Sequence, residues 1–173
     1  MHKIFPCCLL VFSLCGCSTT NNNTGTAVSK GLASIPLELT THLGNQQQFV
    51  EGDEIQFLLS LGQDAYIYML YLDASGAITQ ILPNVNQQSH FYSAGYFLTI
   101  PEYENLYRFT IGEPFGEESI WVIASDQSIS LDLSLDKVDS IRHVIKNASR
   151  QAYGEYVLRI TTRAKSRHQA CCT

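Results

Sequence analysis

The sequence predicts a mainly β fold, an antiparallel β-sandwich of about eight short strands with one C-terminal helix. Three observations carry the prediction. Apolar and polar residues alternate over a series of short stretches; Gly, Pro, Asn and Asp punctuate them; and near residues 136–150 the apolar spacing changes from two to that of a helix. The densest strand-like block runs from Gly52 to Asn84. Within it Ala65–Leu72 and Ala77–Leu82 are joined by Asp73-Ala-Ser-Gly76, two runs rich in aromatic and β-branched residues across a short turn ending in Gly, which is a hairpin signature. Gly76 supplies the positive φ that rejoins the strands, and Pro83 lacks the donor that would extend the second one.

The elements in chain order are as follows. Leu37, Leu39, Thr41 and Leu43 alternate with Glu38, Thr40 and His42, as in a half-buried strand. Residues 44–48 form a turn or loop, and Ile55, Phe57 and Leu59 mark a strand over 54–61. Ala65–Leu72 differs, because Tyr66, Tyr68, Leu70 and Leu72 on one face and Ile67, Met69 and Tyr71 on the other leave neither face polar. Its second face therefore needs a cover: the helix, a long loop or a partner protein. Residues 84–93 are polar loop around His90-Phe91-Tyr92. Further strands are expected at 96–100, stopped by Pro101, at 106–111, and at 120–125 after the turn Gly112–Gly116. Val138, Ile141, Val144 and Ile145 then fall on one helical face, with Asp136 placed to cap the amino end and Lys146 and Arg150 near the carboxyl end. Gly154 precedes a last strand, 156–162, with Tyr156, Leu158 and Ile160 inward and Arg159 outward.

The N-terminus gives an address. His2 and Lys3 precede an apolar run, Ile4–Leu14, well short of the roughly 20 residues a membrane span needs. It ends in Leu14-Cys15-Gly16-Cys17, which resembles a bacterial lipobox with Cys15 where Ala or Ser is commoner. Acylation at Cys17 would anchor the chain through lipid; an ordinary signal cleaved near Thr19 would discard it. Ser18 rather than Asp after the anchor resembles outer-membrane sorting. The division expected is a signal peptide over 1–16, acylated Cys and polar tether over 17–33, a sandwich over 34–162 and a basic tail over 163–173. The tether would hold the domain roughly 20 Å from the bilayer. Four of the six Cys fall at or before Cys17 and the others are Cys171 and Cys172, so no internal disulfide or thiolate metal site holds the domain.

The net charge of −5, or −6 once Lys3 is lost, excludes the basic face that nucleic acid requires. Arg159, Arg163, Lys165, Arg167 and His168 are a local exception that reads as a solvated tail or a contact for anionic headgroups.

Three blocks, Gly52–Ser60, Asp64–Asn84 and Gly112–Ser125, resemble the bacterial family called domain of unknown function (DUF) 4384, over roughly Leu37–Ser125. The resemblance implies an exported or envelope protein. It carries no agreed activity and no catalytic residues.

Reactive constellations are weak. Ser75 lies in a turn with no partnered base, and His42, His90, His143 and His168 lack metal-ligand spacing. Asp132, Asp136 and Asp139 lack the Gly and terminal Glu of a calcium loop. Glu113, Glu117 and Glu118 gather round the Gly112–Gly116 turn, where they read first as solvated charges, the alternatives being a cation site or an acid/base pair. No metal and no cofactor is implied. Phe91, Tyr92, Tyr103, Tyr107 and Phe115 in or beside loops are the candidate partner-binding residues, the alternative being that they pack over the ends of the core. The expected function is that of an outer-membrane lipoprotein, facing the periplasm, whose sandwich binds an envelope protein. A carbohydrate- or peptidoglycan-binding module and a hydrolase acting through the acidic loop are the alternatives.

Overall fold

The computed structural model describes residues 31–44, 48–103, 107–131 and 137–166. In chain order these residues form β1 (Ala33–Ser34), β2 (Leu37–Thr41), β3 (Gln48–Val50), β4 (Glu54–Ile55), β5 (Phe57–Leu61), β6 (Ala65–Leu72), β7 (Ile78–Leu82), β8 (Phe91–Tyr92), β9 (Phe97–Ile100), β10 (Phe109–Thr110), β11 (Glu117–Ser125), α1 (Val138–Ala148) and β12 (Ala152–Arg163). The larger sheet has the order β1–β12–β11–β6–β7, with β3 also on β12 and β8 also on β6. The smaller one is β2–β5–β9, and β4 pairs with β10 apart from both. Its ladders are antiparallel except where β1 and β3 run parallel to β12.

The two sheets share one core. Leu39, Phe57 and Leu59 from the smaller sheet meet Ile67, Met69, Ile120, Val122, Leu158 and Ile160 from the larger. A second core explains why β6 is apolar on both faces: Tyr68 and Leu70 on β6, with Ile123 on β11, are buried under Val138, Ile141 and Ile145 of α1. Ile129 and Leu131, in the loop after β11, pack against the same cluster. Helix and loop together are the cover that the sequence required, and the Tyr68 hydroxyl pins the loop by accepting the Ile129 N–H at 2.6 Å.

The hairpin forms as expected. Asp73 Oδ1 accepts the N–H groups of Ser75 and Ala77, each at 2.9 Å, and Gly76 takes a φ of 89°. These bonds hold the Asp73 carboxyl below the usual carboxylate range, that from the Ser75 side chain most.

Several expectations are corrected. The stretch 54–61 is two strands, because β4 leaves β5 at Gln56 to pair with β10, and Gln56 exchanges backbone and ring hydrogen bonds with His42. Only Phe109–Thr110 of 106–111 is strand. The helix is capped by Lys137, with no side-chain cap bond, and ends at Ser149, so Arg150 lies beyond it; Asp136 lies outside the described residues. Val144 is 40% exposed, since Val138, Ile141 and Ile145 define the buried stripe without it. Leu43 is exposed because β2 has already ended, and Tyr156 is exposed although Leu158 and Ile160, on the same face of β12, are buried. Among the described residues the first strand starts at Ala33 and the last ends at Arg163.

Candidate partner-binding surface

The connection from β7 to β9 carries the chain from the larger sheet to the smaller. Its first part is stapled around Gln87, which is buried. The Gln87 amide donates to the Tyr92 hydroxyl at 2.6 Å and to Glu102 Oε1 at 2.8 Å, while its oxygen accepts the Tyr107 hydroxyl at 2.9 Å. Asn84 Oδ1 accepts the backbone N–H groups of Asn86 and Gln87 and so closes the turn beneath. Burial, then the nearby Glu102 charge, pushes the Tyr92 phenol up to about 12. Tyr92 and Tyr107 therefore serve the loop's own hydrogen bonds, and Phe115 packs against the main core. All three rings are half-buried and engaged within the domain.

Phe91 and Tyr103 remain on the surface, at 49% and 77% exposed. Phe91 lies 5.0 Å from the Tyr66 ring, which in turn lies 5.4 Å from His90, so the exposed ring stands on an ordered aromatic base. Two residues that the sequence reading did not single out are equally open: Tyr96 is 73% and Phe97 78% exposed. The loop before them is fixed by Asp64 Oδ1, which accepts the Ala94 N–H at 2.8 Å, and by Gly95, whose φ of 88° turns the chain into β9. Phe97 stands opposite Ser60, which pairs with Glu38, so it lies on the outer face of the smaller sheet. Beyond β9 that sheet carries no further strand among the described residues. The result is an edge strand flanked by exposed aromatic rings.

The acidic group does not assemble. Glu113 lies exposed on its turn, but Glu117 and Glu118 both belong to β11 and point to opposite faces of it. Glu117 is exposed and accepts the Thr161 hydroxyl. Glu118 is only 3% exposed, between the sheets, where it accepts the Tyr71 hydroxyl at 2.6 Å and the Thr162 hydroxyl at 2.7 Å. The expectation of solvated loop charges therefore holds for Glu113 and Glu117 and is corrected for Glu118, which is an interior residue. The cause is parity: Glu118, Ile120, Val122 and Ala124 alternate along one face of the strand.

A second polar cluster ties α1 to the larger sheet. Arg142 donates to Glu155 and to Asp139 and lies 4.7 Å over the Trp121 ring; Lys146 lies 5.6 Å over Tyr153. The Arg142 bond holds the Glu155 carboxyl low, while burial and then Glu155 push the Tyr153 phenol up. All its partners are internal, so it reads as a clamp on the helix. Among the described residues no three His, Cys, Asp or Glu side chains meet at metal-binding distance, and no helix is long and apolar enough to cross a membrane. Cys17, the lipidation candidate, lies outside the described residues.

Fold and surface together describe a helix-backed β-sandwich with an aromatic edge. Residues 48–128 of it match the family model described as domain of unknown function (DUF4384), in agreement with the resemblance carried by its three sequence blocks. No curated protein and no solved structure matches the chain.

Proposed function

We propose that the chain is a lipoprotein of the bacterial outer membrane, anchored through acyl groups on Cys17 and facing the periplasm, whose sandwich binds another envelope protein as an accessory module. The observation that carries the binding part is the exposure of Tyr96, Phe97 and Tyr103, each above 70%, beside a strand edge that the described chain leaves unpaired. Large rings held on an ordered backbone bury much surface for little lost entropy, which is how partner-binding surfaces concentrate affinity. The lipobox-like Leu14–Cys17 and the polar stretch after it support the anchoring part.

A photo-cross-linking residue placed at Phe97 in intact cells tests the reading, with one placed at Asp139, on the helix side, as control. A discrete protein adduct at position 97 that is absent at 139 and lost in Cys17→Ala supports a tethered protein-binding module. Adducts to cell-wall polymer alone would replace it with a carbohydrate-binding module, whose sugar rings also stack on exposed aromatics.

A further inference from the structure

The opposite edge of the larger sheet carries a separate feature. A groove of about 400 Å³ lies between β7, the segment Pro83–Val85 and the first turn of α1. Leu70, Ile78, Val85 and Ile141 supply apolar walls, and no charged residue lines it. Val85 on its rim is 88% exposed. Gln80, on its wall, is held by its amide nitrogen donating to the Pro83 carbonyl at 2.6 Å, and its Oε1 is buried in the protein with no hydrogen-bond partner.

The β7 backbone beside the groove is a sheet edge among the described residues. The turn bond from the Asp73 N–H to the Ala77 carbonyl fixes the phase of the hairpin. Thr79, opposite Tyr71, then faces β6, while Ile78 and Gln80 turn their N–H and C=O groups away from it. No strand lies beyond β7 among the described residues. Natural sheets protect such edges with charged side chains, yet Ile78, Thr79 and Gln80 carry none.

We propose that β7 and this groove form a strand-addition site for an extended, uncharged peptide segment of a partner protein. The peptide backbone pairs with Ile78 and Gln80, and one of its aliphatic side chains enters the groove. Two complementarities select this occupant. The edge backbone donors and acceptors repeat every second residue, as an extended peptide matches, and the uncharged, largely apolar lining calls for an aliphatic side chain. The site lies on the larger sheet and is independent of the aromatic edge of the smaller one.

The test is selection of a displayed random nonapeptide library on the purified full chain, followed by fluorescence anisotropy with the enriched peptides. Aliphatic residues should be enriched at alternate positions, and binding should protect the Ile78 and Gln80 amides from hydrogen exchange. Val85→Asp, at a solvent-exposed position and with an unchanged melting curve, should weaken binding at least about tenfold, whereas Phe97→Ala should leave it unchanged. The proposal is overturned if no peptide is enriched, if enriched peptides bind Val85→Asp as well as wild type, or if the chain self-associates through a contact that Val85→Asp abolishes, since the occupant is then a second copy.

Discussion

Glu118 offers the sharpest test of whether the acidic residues near the Gly112–Gly116 turn act on a ligand or hold the fold. It is an interior carboxylate whose partners are two hydroxyls, Tyr71 at 2.6 Å and Thr162 at 2.7 Å. Hydrogen bonds to a charged acceptor each contribute about 1.5–3 kcal/mol. In Glu118→Ala the Thr162 hydroxyl can fall back on the Gly116 carbonyl, 3.4 Å away, but the Tyr71 hydroxyl loses its acceptor and a small void opens between the sheets. The expected loss is about 2–4 kcal/mol, the void and the orphaned hydroxyl acting together. Glu118→Gln keeps the shape and one good acceptor, so its loss should be about 1 kcal/mol. In Glu118→Leu/Tyr71→Phe the carboxyl and the phenol hydroxyl that it would orphan are both gone and the penalty shrinks, giving a coupling of about 1–3 kcal/mol in the double-mutant cycle with the two single variants. Urea unfolding followed by the single tryptophan, Trp121, three residues along the same strand, reads the wild type, Glu118→Ala, Glu118→Gln, and the two single variants and the double variant of the cycle. Stability of Glu118→Ala within about 0.5 kcal/mol of wild type, or strict additivity of Glu118→Leu with Tyr71→Phe, would refute the argument.

Two further predictions rest on particular contacts. Gly154→Ala would place a Cβ 2.2 Å from the Ile35 carbonyl oxygen, where the chain passes from β1 to β2 against β12. A backbone atom cannot swing aside, so we expect a loss of about 3 kcal/mol or more in urea unfolding, and an unchanged midpoint would show that the close approach is not required. The second concerns acid. The Asp126 carboxylate accepts the Arg150 and Gln151 N–H groups at 2.9 Å each, and although burial pulls its pKa up, these bonds outweigh it and leave the group below the usual range, as Glu155 and Asp73 also are. A carboxyl lowered in the folded state contributes stability that is present above its unfolded pKa and is lost as pH falls through its folded one. The melting temperature should therefore hold from neutral pH to about 5 and fall below about 4, with a shallower acid slope in Asp126→Asn; equal slopes in the two proteins would exclude the Asp126 contribution.

What the sequence made legible was what its local chemistry determines. The hairpin was readable because Asp73 and Gly76 encode the turn directly, and the two-faced apolar character of Ala65–Leu72 required a covering layer before α1 was placed on it. The strands β1, β3 and β8 carry no such signal, since two or three residues become strand only by lying against β12 or β6. Glu118 was misplaced because adjacent acids after a Gly resemble a loop, although its parity with Ile120 and Val122 held the answer. The aromatic residues show the limit most plainly. Phe97 and Tyr92 are alike in sequence terms, yet Tyr92 meets a buried Gln87 and Phe97 meets water, because loop closure and the width of the smaller sheet decide which ring is covered.

The extent of the family match leads to a last prediction about what constitutes the folding unit. The matched residues, 48–128, end just after β11 and exclude β1, β2, α1 and β12. In the structure β12 lies inside the larger sheet: nine of its residues pair with β11, and among the described residues β1 and β3 pair with the sheet through it. Loss of α1 would uncover Tyr68, Ile123 and Leu70, each at most 1% exposed, and loss of β2 would reduce the smaller sheet to β5 and β9. Burying one such side chain contributes about 1.5–3 kcal/mol, so the three beneath the helix alone approach the lower range of total stability expected for a domain. A fragment of residues 48–128 should therefore lack a cooperative thermal transition and bind a hydrophobic dye, whereas residues 31–166 should melt in a single step. A cooperative melt of the shorter fragment would mean that the matched segment folds by itself and that the helix and β12 only decorate it.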